Sequence, residues 1–323
     1  MSNFEYVNCD LCGFDDTELI YKVPECTGMY PEEIFNLVKC KNCGLVYVNP
    51  RPVKKELLKY YPQETYYAYQ NTENKKTNTR DKLKDIIIEY SGGYKSINNK
   101  FIDNIVKKIS KYILLGNIPW RKDGKLLDIG CGNGGFLIWY RAHGWNVYGV
   151  EINKEAANIC RQKGINVFNG ELMDAHFKND TFDVVTIIQV LEHLCSPSQV
   201  IKEIYRILKK DGLLLIGIPN FGSYDRKIFN ADWLPLEVPR HLYHFEPVKL
   251  RNLLERYGFK IQELRAKGFY LYGFKNISKI KERTFTAKIL LLIKLNLIKP
   301  IKMLFSSKRR DKFGILISLY CQK

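Results

Sequence analysis

Apolar and polar positions follow two different periods in the middle of the chain. Short apolar runs have the length of buried strands, and they occur at residues 126–129, 147–150, 184–188 and 213–218. Between them, apolar positions recur every three or four residues. This second period predicts helices at 135–143, 154–163 and 197–209. Such an alternation is typical of an α/β fold in which helices cover both faces of a parallel sheet.

The segments on either side of this alternation have a different composition. Residues 1–52 are rich in cysteine and turn-forming residues, which predicts a small module. Residues 53–115 form a connecting region that is aromatic at first and later has helical periodicity. Residues 116–323 are predicted to form one domain, in which 258–264 and 314–321 add two more strands.

Four cysteines of the first module occur as two C-x-x-C pairs, Cys9 with Cys12 and Cys40 with Cys43. A glycine follows each pair directly and permits the tight turn that lets two thiolates bind one ion. Four thiolates suit a structural zinc ion in a closed, zinc-ribbon-like module. The alternative is four unrelated buried thiols. Cys26 lies between the pairs and is interpreted as a packed thiol.

A glycine-rich turn follows the first predicted strand. Asp128 lies near the end of that strand, and glycine occupies positions 130, 132 and 134 before the next helix begins. Glycine allows tight turning and a close approach of the backbone to a ligand. The second strand leads into Glu151, where an acidic side chain can bind ribose hydroxyl groups. The pattern predicts a site for a nucleotide-type cofactor.

These residues and three later segments resemble class I S-adenosylmethionine-dependent methyltransferases. The turn reads D-x-G-x-G-x-G, which differs from the dinucleotide-binding pattern G-x-G-x-x-G. The resemblance spans about residues 125–266 and includes the segments 170–171, 189–194 and 211–216. It implies a Rossmann-like sheet of seven strands, parallel apart from an antiparallel last strand, and S-adenosylmethionine as the cofactor.

The resemblance also implies roles for individual residues. Glu151 should hold the ribose, Glu171 and its neighbours the adenine, and the glycine turn the methionine end. Many relatives have aspartate where this chain has Glu171. The residues implied to contact the cofactor are Asp128, Gly130, Cys131, Gly132, Gly134, Glu151, Ile152, Glu171, Leu172 and Gln189.

Transfer of the methyl group to a hydroxyl or a carbon requires positioning and a base. Two histidines are candidates, because imidazole accepts protons near neutral pH. His193 follows the fourth strand, where capping of the local backbone is the alternative role. His241 lies in a loop bounded by prolines, and a catalytic role is favoured for it.

The layout resembles a narrower group as well. A four-cysteine module, the segment 49–52, a methyltransferase core and the Pro-Arg-His-Leu segment at 239–242 occur together in bacterial methyltransferases of sugar and surface-polysaccharide biosynthesis. The resemblance implies O- or C-methylation of a sugar, which could be a nucleotide sugar, a lipid-linked glycan or a polysaccharide.

The positive charge is concentrated near the C-terminus. The chain has a net charge of +17, and residues 275–323 contain 13 Lys/Arg against 2 Asp/Glu. An RNA methyltransferase that holds its substrate with this basic segment is therefore the alternative function, although residues 1–52 contain 8 Asp/Glu against 4 Lys/Arg. Nucleic acid is the less favoured partner.

An insertion at 268–313 contains much of this basic charge between the last two predicted strands. Its residues 285–305 are basic and apolar with helical periodicity, which suits peripheral contact with a membrane surface. A lid or a dimer face is the alternative. The sequence shows no secretory signal and no apolar run of about 18 residues, so we expect a cytoplasmic protein, peripheral to the inner face of the membrane if the insertion binds lipid.

Overall fold

A computed structural model of the chain describes residues 3–61, 79–95, 99, 101, 103–106, 118–267 and 316–323. Within these residues the strands are β1 (Phe4–Glu5), β2 (Thr17–Pro24), β3 (Ile34–Cys40), β4 (Val46–Val48), β5 (Arg51–Pro52), β6 (Lys125–Ile129), β7 (Asn146–Glu151), β8 (Asn166–Asn169), β9 (Phe182–Ile188), β10 (Leu208–Pro219), β11 (Tyr243–His244), β12 (Lys260–Lys267) and β13 (Leu316–Gln322). The α-helices are α1 (Lys54–Leu57), α2 (Thr79–Ser91), α3 (Gly135–Ala142), α4 (Lys154–Gln162), α5 (Pro197–Ile207), α6 (Tyr224–Phe229) and α7 (Pro247–Arg256).

Seven strands form the central sheet in the order β12–β13–β10–β9–β6–β7–β8. The five strands from β6 to β10 are parallel, and β13 is antiparallel to both of its neighbours. The predicted fold class, a Rossmann-like sheet that is parallel apart from its last strand, is therefore confirmed. Parallel strands end at the same edge, so the loops after β6, β7, β9 and β10 lie together there.

Helices cover both faces of this sheet, as the burial of nearly every position along β6 and β9 requires. Neighbouring strand residues separate the two faces: Leu126 belongs to one buried cluster and Leu127 to another. The cluster around Leu126 contains residues of α3 and α4. The cluster around Leu127 contains residues of α5 and α7 together with the first cysteine pair. The N-terminal module thus shares the core of the second face.

The module has a small antiparallel sheet in the order β11–β4–β3–β2. Its edge strand β11 comes from the segment after β10, and it pairs Tyr243 with Tyr47 and His244 with Val46. The sequence did not indicate this strand, because two residues are too few to show a period. A segment of the main domain therefore completes the sheet of the cysteine module.

Polar contacts join the same two parts of the chain. The carboxylate of Asp10, a residue between the first two cysteines, accepts hydrogen bonds at 2.8 Å from both the backbone N–H and the hydroxyl of Ser198 in the first turn of α5. The Arg51 guanidinium donates to the carbonyl of Cys195 at 2.7 Å and to the Tyr243 hydroxyl at 3.2 Å. The module is thereby attached to the loop that follows β9.

The predicted helices correspond closely to α3, α4 and α5, and α2 lies in the part of the connecting region that has helical periodicity. The insertion at 268–313, with its segment 285–305, lies outside the described residues. The division into domains at residues 52 and 115 stays a prediction. No helix among the described residues is long and apolar enough to cross a membrane.

Candidate active site

The turn between β6 and α3 has the conformation that its glycines predict. Gly130, Gly132 and Gly134 have φ angles of +72°, +55° and +78°. A Cβ atom on Gly130 would lie 2.3 Å from the side chain of Val190, in the loop after β9. Any larger residue at position 130 would therefore push these two loops apart. Three of the five residues of the turn lack a side chain, which lets its backbone approach a ligand closely at the sheet edge.

Glu151 ends β7 beside this turn and is buried. One carboxylate oxygen accepts a hydrogen bond at 2.8 Å from the Gly132 N–H, and the other accepts at 2.8 Å from the Asn153 N–H. Burial raises the pKa of the carboxyl group, whereas these amide donors lower it. The side chain is held at the position where an acidic residue would meet ribose hydroxyl groups.

Asp128 lies beneath the same turn. Its carboxylate accepts a hydrogen bond at 2.6 Å from the Thr186 hydroxyl on the neighbouring strand β9. Burial raises the pKa of Asp128 to about 7. Thr186 was not found from the sequence, because a threonine in a strand shows no sign that its hydroxyl binds an acid on the next strand.

The other predicted cofactor contacts follow the ends of β7, β8 and β9. Ile152 is 54% exposed just beyond Glu151, and Leu172 is buried in a short 3-10 helix. Glu171 is partly exposed and forms an ion pair at 2.7 Å with Lys54, which the sequence did not indicate. Gln189 has a positive φ of 57°, so the chain turns sharply where β9 ends.

Cys131 is a predicted contact whose side chain lies in the core of the protein. It is buried in the core cluster of α3 and α4, next to Cys160, whose thiol lies 3.1 Å from the Gly132 carbonyl. The contact of Cys131 with the cofactor remains a prediction for its backbone rather than for its side chain.

Glu192, His193 and His241 form a second group of functional side chains. One carboxylate oxygen and one nitrogen of each imidazole lie within 4.8 Å of one another. The rings of the two histidines are 4.5 Å apart, edge to face. The structure therefore places both predicted catalytic histidines in one cluster, at the end of the sheet where β9 and β10 finish.

Both imidazoles are held in the same way. Nδ1 of His193 lies 3.0 Å from the Arg240 carbonyl, and Nδ1 of His241 lies 2.8 Å from the Pro235 carbonyl. A carbonyl only accepts hydrogen bonds, so each Nδ1 is assigned the proton and each Nε2 a lone pair. Burial lowers the pKa of His193 to about 3 and that of His241 to about 4. Both rings are neutral at neutral pH.

Glu192 differs from the two histidines. It is 1% exposed, and neither of its oxygens has a hydrogen-bond partner among the described residues. Burial raises the pKa of this carboxyl group to about 8. Its backbone carbonyl accepts from the Leu242 N–H at 2.8 Å, which fixes the cluster to the segment that continues into β11.

The residues around the cluster include several that the sequence did not point to. The Tyr61 hydroxyl lies 2.9 Å from Nδ1 of His193. A carboxylate oxygen of Glu237 lies 3.9 Å from Nε2 of His241 and accepts a hydrogen bond at 2.8 Å from Arg240. Proton-binding and charged groups from three segments of the chain thus surround one small volume.

The four cysteines of the module also come together. The Sγ atoms of Cys9 and Cys43 are 3.4 Å apart, those of Cys12 and Cys40 are 3.6 Å apart, and all four lie within 4.8 Å of one another. The two turns match: the N–H of the glycine after each pair donates to the carbonyl of the first cysteine of its pair. Four thiols at this spacing could bind a zinc ion, whose bonds to sulfur are about 2.3 Å long.

Comparison with known proteins gives the same assignment as the geometry. Residues 95–264, just over half of the chain, match the family described as "Methyltransferase domain". An uncharacterized protein of Methanocaldococcus jannaschii is 32% identical over 159 residues, which are 49% of this chain and 74% of that protein. The Ubiquinone biosynthesis O-methyltransferase of Actinobacillus pleuropneumoniae serotype 7 is 26% identical over 162 residues, or 45% of this chain and 69% of that enzyme.

Solved structures are similar at lower identity. An S-adenosylmethionine-dependent methyltransferase from Archaeoglobus fulgidus is 20% identical, with a TM-score of 0.46, and the match covers 69% of this chain and 94% of that one.

Proposed function

The chain belongs to the methyltransferase-domain family, and on that premise we propose that it methylates an oxygen or a carbon of a sugar. The acceptor would be a nucleotide sugar, a lipid-linked glycan or a polysaccharide. The observation that carries the proposal is the cluster of Glu192, His193 and His241. Its first two residues follow the end of β9, directly after the loop at Gln189 and Val190. Methyl donor and acceptor would meet between this cluster and the glycine turn.

On the donor side, the chain provides what S-adenosylmethionine requires. The turn from Gly130 to Gly134 would accept the methionine end, and Glu151 would hold the ribose. The exposed side chain of Ile152 offers an apolar surface to the adenine ring, and Glu171 and Leu172 follow the next strand. When bound, the cofactor supplies a methyl group on a sulfonium, which is already activated for transfer.

On the acceptor side, a sugar hydroxyl must lose its proton as the methyl group arrives. Each imidazole of the cluster has a lone pair on Nε2, and His193 is less buried than His241. Direct proton transfer to one of these histidines is the simplest form of activation that the cluster offers. The general-base role of His193 and His241 is part of this proposal.

The proposal of a sugar as acceptor is supported by layout. The cysteine module, the methyltransferase core and the Pro-Arg-His-Leu segment at 239–242 occur in this order, and the strand β11 directly after that segment pairs with β4 of the module. The relatives named Ubiquinone biosynthesis O-methyltransferase favour oxygen over carbon as the methylated atom. We further propose that the four cysteines hold a structural zinc ion, since all four ligands would come from the protein.

An RNA methyltransferase is the alternative function. It would need basic surfaces to bind phosphate groups. The module of residues 1–52 is acidic overall, and the basic insertion lies outside the described residues. RNA is therefore the weaker proposal.

The test follows the label from radioactive methyl-S-adenosylmethionine into fractionated cell extract, with nuclease treatment as the control. We expect label in sugar nucleotides, glycolipid or polysaccharide that nuclease does not release. Label that partitions with lipid would also support peripheral membrane contact through 285–305. Label that ribonuclease releases would contradict the sugar proposal and support the RNA alternative.

A further inference from the structure

The carboxyl group of Glu192 is buried without a hydrogen-bond partner in the part of the chain that the structure describes. Its side chain is 1% exposed, and no described residue donates a hydrogen bond to either oxygen. The nearby Arg240 guanidinium is bonded to Glu237 instead. Buried carboxylates are normally paired, hydrogen-bonded or bound to a cation, because an isolated charge is expensive to remove from water.

The two histidines next to Glu192 have the arrangement of metal ligands. In each ring the Nδ1–H group is assigned a hydrogen bond to a backbone carbonyl. His193 donates to the carbonyl of Arg240, and His241 donates to the carbonyl of Pro235. This contact fixes the orientation of the ring and leaves Nε2 as the ligand atom, as the outer hydrogen bonds of metal-binding histidines do. The cluster therefore offers two imidazole nitrogens and one carboxylate oxygen to the same ion.

We propose that Glu192, His193 and His241 bind a divalent transition-metal ion, with zinc as the reference case. Two nitrogens and one oxygen within 4.8 Å of one another resemble the three-ligand sets of catalytic zinc and non-haem iron sites. Magnesium is disfavoured, because it prefers oxygen ligands and retains water. Three protein ligands would leave a coordination position of the ion for a further group.

This inference rests on the proposed function, and it adds a way in which the acceptor hydroxyl could be activated. A sugar hydroxyl bound at the open position would become more acidic on the ion, and its proton could pass to the carboxylate of Glu237, which lies 3.9 Å from Nε2 of His241, as the methyl group moves from sulfur to oxygen. The ion would then activate the acceptor hydroxyl, in place of an imidazole that accepts its proton directly. It also differs in kind from an ion held by the four cysteines, whose site has no ligand position left for a substrate.

Metal content and cobalt spectroscopy on the full chain test the inference. Zinc is counted per chain in the wild type, in Glu192→Gln and in the control His176→Asn, which changes an exposed histidine outside the cluster. We expect about two zinc ions in the wild type and in the control, and about one in Glu192→Gln. Titration of the metal-free wild type with cobalt needs no variant: one equivalent should show intense thiolate-to-cobalt bands, and the other only weak ligand-field bands.

The result that would overturn the inference is about one ion per wild-type chain with thiolate bands alone, or an unchanged count in Glu192→Gln. Binding of S-adenosylmethionine is measured on the same samples. If the cofactor binds while the second ion is absent, the cation site fails and the proposed function stands with an imidazole base. If the cofactor does not bind to the zinc-loaded wild type, the proposed function itself fails.

Discussion

Two clusters of potential metal ligands lie on either side of the junction between β4 and β11, and they are built in opposite ways. The cysteine cluster consists of two local turns, each formed by residues that are neighbours in sequence. The cluster of Glu192, His193 and His241 joins two segments that are distant in sequence, since its two histidines are 48 residues apart. Four protein ligands would complete the coordination of an ion in the first cluster, whereas three would leave a position in the second.

The difference in ligands gives a structural role to the proposed ion of the cysteines and a chemical role to the proposed ion at Glu192, His193 and His241. Four thiolates around one ion leave no free position, so the ion can only hold the chain together. Three mixed ligands leave room for a substrate atom. The two are connected, because β11 follows His241 directly and completes the sheet of the cysteine module. The module therefore supports the segment that carries His241.

The largest effect is expected from breaking the closed cluster. Cys9→Ser removes one thiolate, and the folding free energy that a structural zinc supplies, of the order of 10 kcal/mol in small zinc domains, is lost in large part. We expect a large fall in Tm and about one zinc ion per chain fewer than in the wild type, measured by thermal denaturation and metal analysis. Cys26→Ser is the matched control and should retain the ion. An unchanged Tm in Cys9→Ser would show that the four cysteines are merely packed.

The next effect concerns the open cluster. His241→Asn should lower kcat by about 10²-fold or more, as loss of an activating group does, with little change in affinity for S-adenosylmethionine. Single-turnover transfer and cofactor binding are the measurements. His193→Asn is compared in parallel, since the sequence favoured His241 as the base. If turnover survives His241→Asn but is abolished by His193→Asn, that ranking is wrong.

Most of the fold could be predicted because it depends on local patterns. The strand at 184–188 is apolar at every position except Thr186, and Asn153 caps α4 by accepting from the Ala156 N–H at 2.9 Å. Such signals are contained in a few consecutive residues. The strand β11 was missed because its two residues are selected by their partner β4 rather than by any propensity of their own.

The contact of the cysteine module with α5 predicts a smaller effect. Asp10→Ala removes both hydrogen bonds to Ser198 at the start of α5, and loss of a helix cap typically costs about 1 kcal/mol. Chemical denaturation measures this change. The exposed Asp15 supplies the control, Asp15→Ala, for which we expect a change below about 0.5 kcal/mol. Equal stabilities for the two variants would show that the carboxylate of Asp10 does not hold the module to the helix.

The smallest effect is expected at the ion pair of Lys54 with Glu171, which links the connecting segment to the predicted adenine side. Both side chains are substantially exposed, and exposed pairs contribute about 0–1 kcal/mol. Lys54→Ala should therefore weaken the binding of S-adenosylmethionine by less than about fivefold, as measured by calorimetric titration. Lys55→Ala controls for the loss of one positive charge. A much larger loss would indicate that Lys54 contacts the cofactor itself.

The candidate site could be predicted only where its residues are held by local turns. The glycines at 130, 132 and 134 have the positive φ angles that their spacing suggests, and Glu151 ends its strand as expected. Spacing alone could not show that His193 and His241 share a cluster, or that Glu192 is left without a hydrogen-bond partner among the described residues. Long-range contacts of this kind depend on the topology of the sheet, which only the structure provides.

The site is proposed to have a donor side at Glu151 and an acceptor side at Glu192. Measuring the binding of S-adenosylmethionine to the zinc-loaded wild type, Glu151→Ala and Glu192→Gln is the most direct test of this division. The wild type and Glu192→Gln should bind with similar Kd. Glu151→Ala should bind at least about tenfold more weakly, because hydrogen bonds to a charged group contribute roughly 1.5–3 kcal/mol. Equal binding by Glu151→Ala, or loss of binding in Glu192→Gln with the fold intact, would contradict this division of the site.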